Sequence, residues 1–299
     1  MSLLNQSLLM LLSLLSRIPR RLVGVSSLLL AHIVRCGYRR GNQTALANIQ
    51  RVYNLPQHSE FSRRFVIQVF QHQIASTIEL MKVVFKRSEP IIRGREELRS
   101  LMEQSEQADK GCILITAHLG NWELLGKVCS EESKRSFYAL AKGASRSNLQ
   151  PLLEEVRKRL GGKILWADRK TIQRDMIRTL NSKDWLAFVM DQKPLGRKGP
   201  MVDLLGQATP FVSGPAIMAA KYQTPIIAAF CVREGPLQYR IQCWQVLPAN
   251  HGLTDKQQIT EQCATAITHA ISWYPEQWCW DYKRWSAQGS MNEQVLTAN

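Results

Sequence analysis

The chain has 299 residues, 45% of them hydrophobic and 21% charged, enough to bury a sizeable core in one large domain or two small ones, which excludes disorder as the default reading. A formal net charge of +15 asks for an anionic partner: nucleic acid, an anionic membrane surface or a phosphorylated substrate. The seven cysteines, at 36, 112, 129, 231, 243, 263 and 279, contain no CxxC pair; zinc-type spacing is absent, and they read as reduced, buried thiols in a cytoplasmic setting.

No Asp or Glu precedes Glu60, whereas Arg17, Arg20, Arg21, Arg35, Arg39, Arg40 and Arg51 all fall in that region. Interleaved with them are two leucine-rich stretches, 3–15 and 22–34, each shorter than the roughly 20 apolar residues that span a bilayer. Apolar runs between arginines suit a membrane-surface anchor over residues 1–40. A tilted span over residues 8–34, a cleaved signal peptide and an ordinary core helix stand as alternatives. The signal peptide is disfavoured because the basic residues follow the first apolar run instead of preceding it.

Apolar residues at three- and four-residue intervals predict helices over 42–56, ended by Pro56, and over 61–85. SEPIIRGREEL predicts a turn, a short strand and a helix beginning near Arg95. Short apolar runs then predict strands at CILITA, FYALA, KILWA and WLAFVM, separated by helices at 121–131, 148–160 and 171–180. A helix from Ser213, a buried strand PIIAAFCVRE and a strand QYRIQCWQVL paired with it across EGPL follow, then a helix over 255–273. This alternation predicts an α/β domain over 41–290, with a mostly parallel central sheet flanked by helices, and a polar tail at 291–299.

TAHLGNWELLG, from Thr116 to Gly126, follows the strand CILI and opens a helix, which is where open parallel sheets place their ligands. There His118 reads as a general base, with Glu123 folding back from the first helical turn to fix its tautomer. Backbone N–H groups around Gly120, Asn121 and Trp122 are expected to be free for an anionic ligand. As a bare pattern the pair is weak, since a structural histidine and carboxylate fit it as well. No GxSxG elbow occurs, and Cys112 and Cys129 lie inside a strand and a helix, so a covalent intermediate lacks a nucleophile. GNWELLGKV is no P-loop: five residues instead of four separate Gly120 from Gly126, and Val128 stands where Ser or Thr would hold magnesium.

The chain resembles the lipid A biosynthesis acyltransferases, a branch of the lysophospholipid acyltransferase superfamily. The resemblance rests on HLGNWE as that family's HxxxxD/E block, on DRK at Asp168–Lys170 with MDQ at Met190–Gln192, on GPMVDLLGQATPFVSGPAIMA at Gly199–Ala219, and on YPEQWCWDYKRW at Tyr274–Trp285. ALANIQRVY at Ala45–Tyr53 is similar to its N-terminal asparagine block. It implies transfer of an acyl group from acyl carrier protein or acyl-CoA to a hydroxyl of an anionic membrane lipid, a lipid A precursor. The reaction would need no covalent intermediate, no cofactor and no metal. It would take place at the cytoplasmic face of a bacterial inner membrane. His118 and Glu123 would be catalytic; Asn121, Lys142, Arg146, Arg169, Asp191, Gln192, Arg233 and Arg284 would bind substrate.

The family's arginine–proline stretch, its second block, which follows the strand FYALA, is replaced here by AKGASRSNL, where Lys142 or Arg146 supplies the charge. A lysine cannot fork onto a phosphate as arginine does, which puts the acceptor in question more than the reaction. Acylation of another membrane glycolipid, of the mannoside or ornithine-lipid type, or of a lysophospholipid is therefore an alternative. A non-catalytic lipid-binding scaffold has no physical need for a base beside a carboxylate. Nucleic-acid binding is disfavoured, because the arginines sit beside leucines instead of spreading over a polar face.

Overall fold

The computed structural model describes residues 3–142, 150–194 and 199–285. Two leucine-rich helices, α1 (Leu3–Leu15) and α2 (Val23–Gly37), flank Pro19 and a 3₁₀ turn at Arg20–Leu22, so the arginine-rich segment between the apolar runs is a real break. α3 (Arg39–Val52) stops short of Pro56, and α4 (Glu60–Val84) is capped by Ser59, whose side chain accepts from the Ser62 amide. One face of α2, carrying Val23, Ser27 and Ala31, packs on α4. The α1–α2 junction is pinned there too. Lys82 donates to the Ser16 carbonyl at 2.9 Å and to the Ile18 carbonyl, and Arg87 Nε donates to Ser16 Oγ at 2.7 Å.

The α/β alternation follows as predicted: β1 (Ile91–Arg93), α5 (Arg95–Gln107), β2 (Cys112–Thr116), α6 (Trp122–Glu132), β3 (Phe137–Ala141), α7 (Gln150–Arg159), β4 (Lys163–Trp166), α8 (Ile172–Asn181) and β5 (Trp185–Val189). Then come β6 (Met201–Leu204), β7 (Gln207–Pro210), α9 (Gly214–Tyr222), β8 (Ile226–Gly235), β9 (Gln238–Leu247) and α10 (Lys256–Trp273). The β6–β7 hairpin is not among the predicted elements. Its turn places Leu205 at φ 57° and Gly206 at φ 75°, as a two-residue primed turn requires.

Strand order in the main sheet is β1-β9-β8-β2-β5-β3-β4. β8 and β9 pair antiparallel; the other neighbours are parallel. Alternation within the strands splits the core in two. Ile113, Ile115, Leu186, Phe188, Ile226 and Phe230 face one cluster, shared with α3, α9, α10 and the start of α4. Cys112, Leu114, Trp185, Ala187, Ile227 and Ala229 face the other, shared with α5, α6, α7 and the end of α4. Strands buried on both faces read as continuous apolar runs, which is why CILIT and WLAFV show no polar alternation.

Candidate active site

Sheet register builds the site. β2 and β5 are parallel neighbours with Thr116 opposite Val189, so the residues two positions beyond each strand, His118 and Asp191, emerge side by side. His118 Nδ1 lies 2.8 Å from Asp191 Oδ1, and the His118 amide donates to Asp191 Oδ2 at 3.1 Å. Trp278 Nε1 donates to the same Oδ2 at 2.7 Å, so a buried carboxylate is held at both oxygens. The Asp191–Nδ1 contact fixes the tautomer with the proton on Nδ1 and leaves Nε2 as the basic nitrogen. The His118 side chain is 23% exposed, and Gln192 Nε2 stands 3.5 Å from its Nε2, positioned to donate to it.

Burial lowers the His118 pKa, but attraction to Asp191 and the hydrogen bond between them outweigh it, and the net shift is upward from 6.5. For Asp191 burial raises the pKa; the charge of His118 and the hydrogen bonds from His118 and Trp278 outweigh that, and it falls below its ordinary 3.8. The two shifts are the two sides of one pairing.

The C-terminal block closes the loop from behind. Gly120 donates to the Gln277 carbonyl at 3.1 Å, Asn121 to the Cys231 carbonyl at 2.8 Å, and Cys279 to the His118 carbonyl at 3.1 Å. Gly120 sits at φ 63°, and a Cβ there would lie 2.2 Å from the Cys231 carbonyl oxygen, so only glycine fits between loop and β8. Asn48 Nδ2 donates to the Trp280 and Tyr282 carbonyls at 2.7 and 2.8 Å, which ties the N-terminal asparagine block to the last one.

Several predicted roles need correction. Glu123 does not orient His118; it takes a bidentate pair from Arg157, with Nε 3.0 and 3.1 Å and Nη2 2.7 Å from its oxygens, and Asp191 holds the imidazole instead. The amides of Gly120 and Asn121 are not free donors, being spent on Gln277 and Cys231. Asn121 turns inward: its Oδ1 caps α6 by accepting from Leu124, and its Nδ2 donates to the Ser76 carbonyl. Arg233 is not open to substrate, because Glu79, fully buried, takes its guanidinium at 2.8–3.2 Å, and Tyr239 donates to the same carboxylate.

Arg284 is also buried, over the Phe211 ring, with Nη2 donating to the Pro210 carbonyl at 2.9 Å. Among the described residues its Nε and Nη1 find no hydrogen-bond partner, and burial lowers its pKa to about 10. Lys142, just past the end of β3, and Arg169 are exposed. Arg146 lies outside the described residues. Arg157, Trp278 and Glu79 are the members that sequence reasoning missed: Arg157 sits in the run RKR, which reads as a solvated helix end.

Two clefts share Trp122 and Glu123 as lining residues. An apolar one lies between α6, α7 and the sheet, over Leu114, Thr116, Ala139, Ala187 and Val189. A polar one is lined by His72, Gln73, Ser76, Asn121 and Asp281. Among the described residues no group of His, Cys, Asp or Glu side chains is arranged to hold a metal ion.

The family model described as bacterial lipid A biosynthesis acyltransferase matches residues 6–287. A phosphatidylinositol mannoside acyltransferase of Mycolicibacterium smegmatis is 26% identical over 183 residues, which are 60% of this chain and 58% of that protein. A phosphatidylinositol mannoside acyltransferase of Mycobacterium tuberculosis is 25% identical over 183 residues, 60% of this chain and 56% of that protein. The match thus spans less than two thirds of the length of these curated relatives.

Proposed function

Because the chain belongs to the bacterial lipid A biosynthesis acyltransferase family, we propose that it moves a fatty acyl group from a thioester to a hydroxyl of a membrane glycolipid. The observation that carries the reading is the His118–Asp191 pair beyond the carboxyl ends of the parallel strands, which leaves Nε2 of His118 as the basic nitrogen. Nε2 takes the proton of the acceptor hydroxyl as its oxygen attacks the thioester carbonyl; the C–O bond forms, the C–S bond breaks, and the imidazolium returns the proton to the leaving thiolate. Asp191 stays ionised and stabilises the imidazolium that forms between those two events. Glu123 and Arg157 tie α6 to α7 beside the apolar cleft, which suits the acyl chain. The polar cleft suits a hydroxyl-bearing headgroup.

The acceptor in this reading is a lipid A precursor. A second reading, a mannosylated phospholipid, is favoured by the activity named for the mycobacterial relatives. Both acceptors are membrane lipids, and the N-terminal helices suit a membrane surface: Met10, Leu11, Leu14, Val25, Leu29 and Ile33 are exposed beside Arg17, Arg20 and Arg21. Among the described residues no helix is long and apolar enough to cross a membrane. The donor is acyl carrier protein or acyl-CoA, and the reaction faces the cytoplasm.

Mass spectrometry of membrane lipids from cells with and without the protein tests the reading. An acyl increment on lipid A supports the first acceptor and one on a mannosylated phospholipid the second. Identical lipid profiles, including with His118→Ala, count against acyl transfer altogether.

A further inference from the structure

We propose that Gly126 is the residue that sets how long an acyl chain the apolar cleft accepts. The inference takes the identity of the ligand from the acyl-transfer reading; the space itself is read from the fold.

Gly126 occupies the interior of α6, where glycine costs about 1 kcal/mol relative to alanine. A close neighbour does not account for that cost. A Cβ built on Gly126 meets nothing within 4 Å, whereas one on Gly120 would collide with backbone at 2.2 Å. Nor does Gly126 show the positive φ that forces glycine at Gly120. What the missing side chain leaves is space, and that space is the apolar cleft, which Gly126 lines together with Glu123 and Ser130 on the same face of the helix.

The cleft has a direction. Thr116, Ala141 and Val189 line it at the carboxyl ends of their strands, the end at which His118 and Asp191 emerge. Phe137, Leu160 and Lys163 line it at the opposite end of the sheet. From Ala141 back to Phe137 is four strand residues, roughly 13 Å at the usual rise. Between them the sheet presents Ala139 and Ala187, small side chains where the same face elsewhere carries Leu114 and Trp185. α6 begins at the end where His118 emerges, and Gly126, four residues past Trp122, lies roughly 6 Å along it, about half of the distance that the strand covers. A side chain there would divide the cleft at about half its depth, leaving room near His118 for the start of a chain and none for the rest.

The test uses the full-length protein with Gly126→Ala, Gly126→Leu and Gly126→Phe. Butyric, lauric and palmitic acids are titrated by calorimetry, and thiol release is followed from the coenzyme A thioesters of the same acids. The wild type is expected to bind tighter as the chain lengthens. Gly126→Leu and Gly126→Phe should weaken palmitic acid about ten-fold or more, while butyric acid is unchanged and Gly126→Ala falls between. Unchanged palmitic affinity in the Phe variant overturns the inference, as does equal weakening at all lengths or a wild type that binds none of the three. If the Phe variant does not fold, the Leu variant carries the same comparison. Length-dependent binding with no thiol release in the wild type, from either the coenzyme A or the acyl carrier protein thioesters and with a lipid A precursor or a mannosylated phospholipid supplied as acceptor, leaves Gly126 standing and sinks the acyl-transfer reading.

Discussion

His118 Nδ1 and Asp191 Oδ1 lie 2.8 Å apart across two neighbouring parallel strands, and this pairing governs the pH dependence of the site. Catalysis needs neutral His118, whose pKa is raised above 6.5 by Asp191 against the opposing effect of burial. kcat/KM is therefore expected to rise with pH through a single ionisation above 6.5. In Asp191→Asn the attraction is gone and burial remains, so the same limb should move to lower pH even as the rate falls. For stability the sign reverses: the pairing favours the fold below 6.5, and that contribution is lost as pH rises through the raised value. A pH–rate profile of the two proteins checks the order, and an Asp191→Asn limb that stays in place refutes it.

The two carboxylates near the histidine are not equivalent. His118→Ala should lower acyl transfer by about 10²–10⁴-fold, and Asp191→Asn should approach that loss, since the tautomer of the base depends on it. Glu123→Gln breaks the pair with Arg157, a charged hydrogen-bonded contact of about 1.5–3 kcal/mol, and leaves the Asp191 contact of His118 in place. Its effect should be smaller, matched by Arg157→Gln, and not additive with it. Kinetics of the two single variants and the double variant measure the coupling.

The mismatch between Glu123 and Asp191 shows where sequence legibility ends. The elements β1–β5, β8 and β9 and their order could be read from apolar runs and helical spacing, and so could the strand-end position of His118. Its partner could not, because Asp191 is 73 residues away and becomes a neighbour only once β5 is known to lie beside β2. Glu123 was the nearer carboxylate in sequence, and Arg157, reaching across from α7, claims it in space. Glu79 likewise sits in an ordinary amphipathic helix, and nothing local marks it as the partner of Arg233. The β6–β7 hairpin had a local signal in its Leu–Gly turn, but Met201 is apolar and faces out, so the sequence of β6 lacks the polar alternation that its burial shows.

Glu79 leads to a stability prediction. Its carboxylate is completely buried and receives both Arg233 and the Tyr239 hydroxyl. Removing one member of such a set leaves an uncompensated buried charge, which costs about 3–5 kcal/mol. Glu79→Ala should therefore lower the denaturant midpoint severely, and Tyr239→Phe, which keeps the ion pair, should lower it much less. Equilibrium unfolding of both variants decides. Equal midpoints would mean that the charge of Glu79 is not what Arg233 depends on.

The last prediction concerns the outer face of α2. Val23, Ser27 and Ala31 turn inward onto α4, so Val25, Leu29 and Ile33 are left facing out, at 60%, 61% and 65% exposure. Water gives that face no reason to be apolar, and Arg17, Arg20 and Arg21 lie in the turn beside it. Anionic headgroups would meet those arginines while the apolar side chains enter the acyl boundary, each arginine contributing about 1 kcal/mol near the surface. Cosedimentation should then show binding to vesicles containing anionic lipid, weaker binding to zwitterionic vesicles, and loss on raising the salt. Arg17→Glu with Arg21→Glu should abolish the preference for anionic vesicles and spare residual binding. Leu29→Asp with Ile33→Asp should remove binding to both, while acyl transfer to a detergent-dispersed acceptor persists because neither residue touches His118 or Asp191. Binding that is indifferent to both pairs of substitutions would exclude this face as the membrane contact.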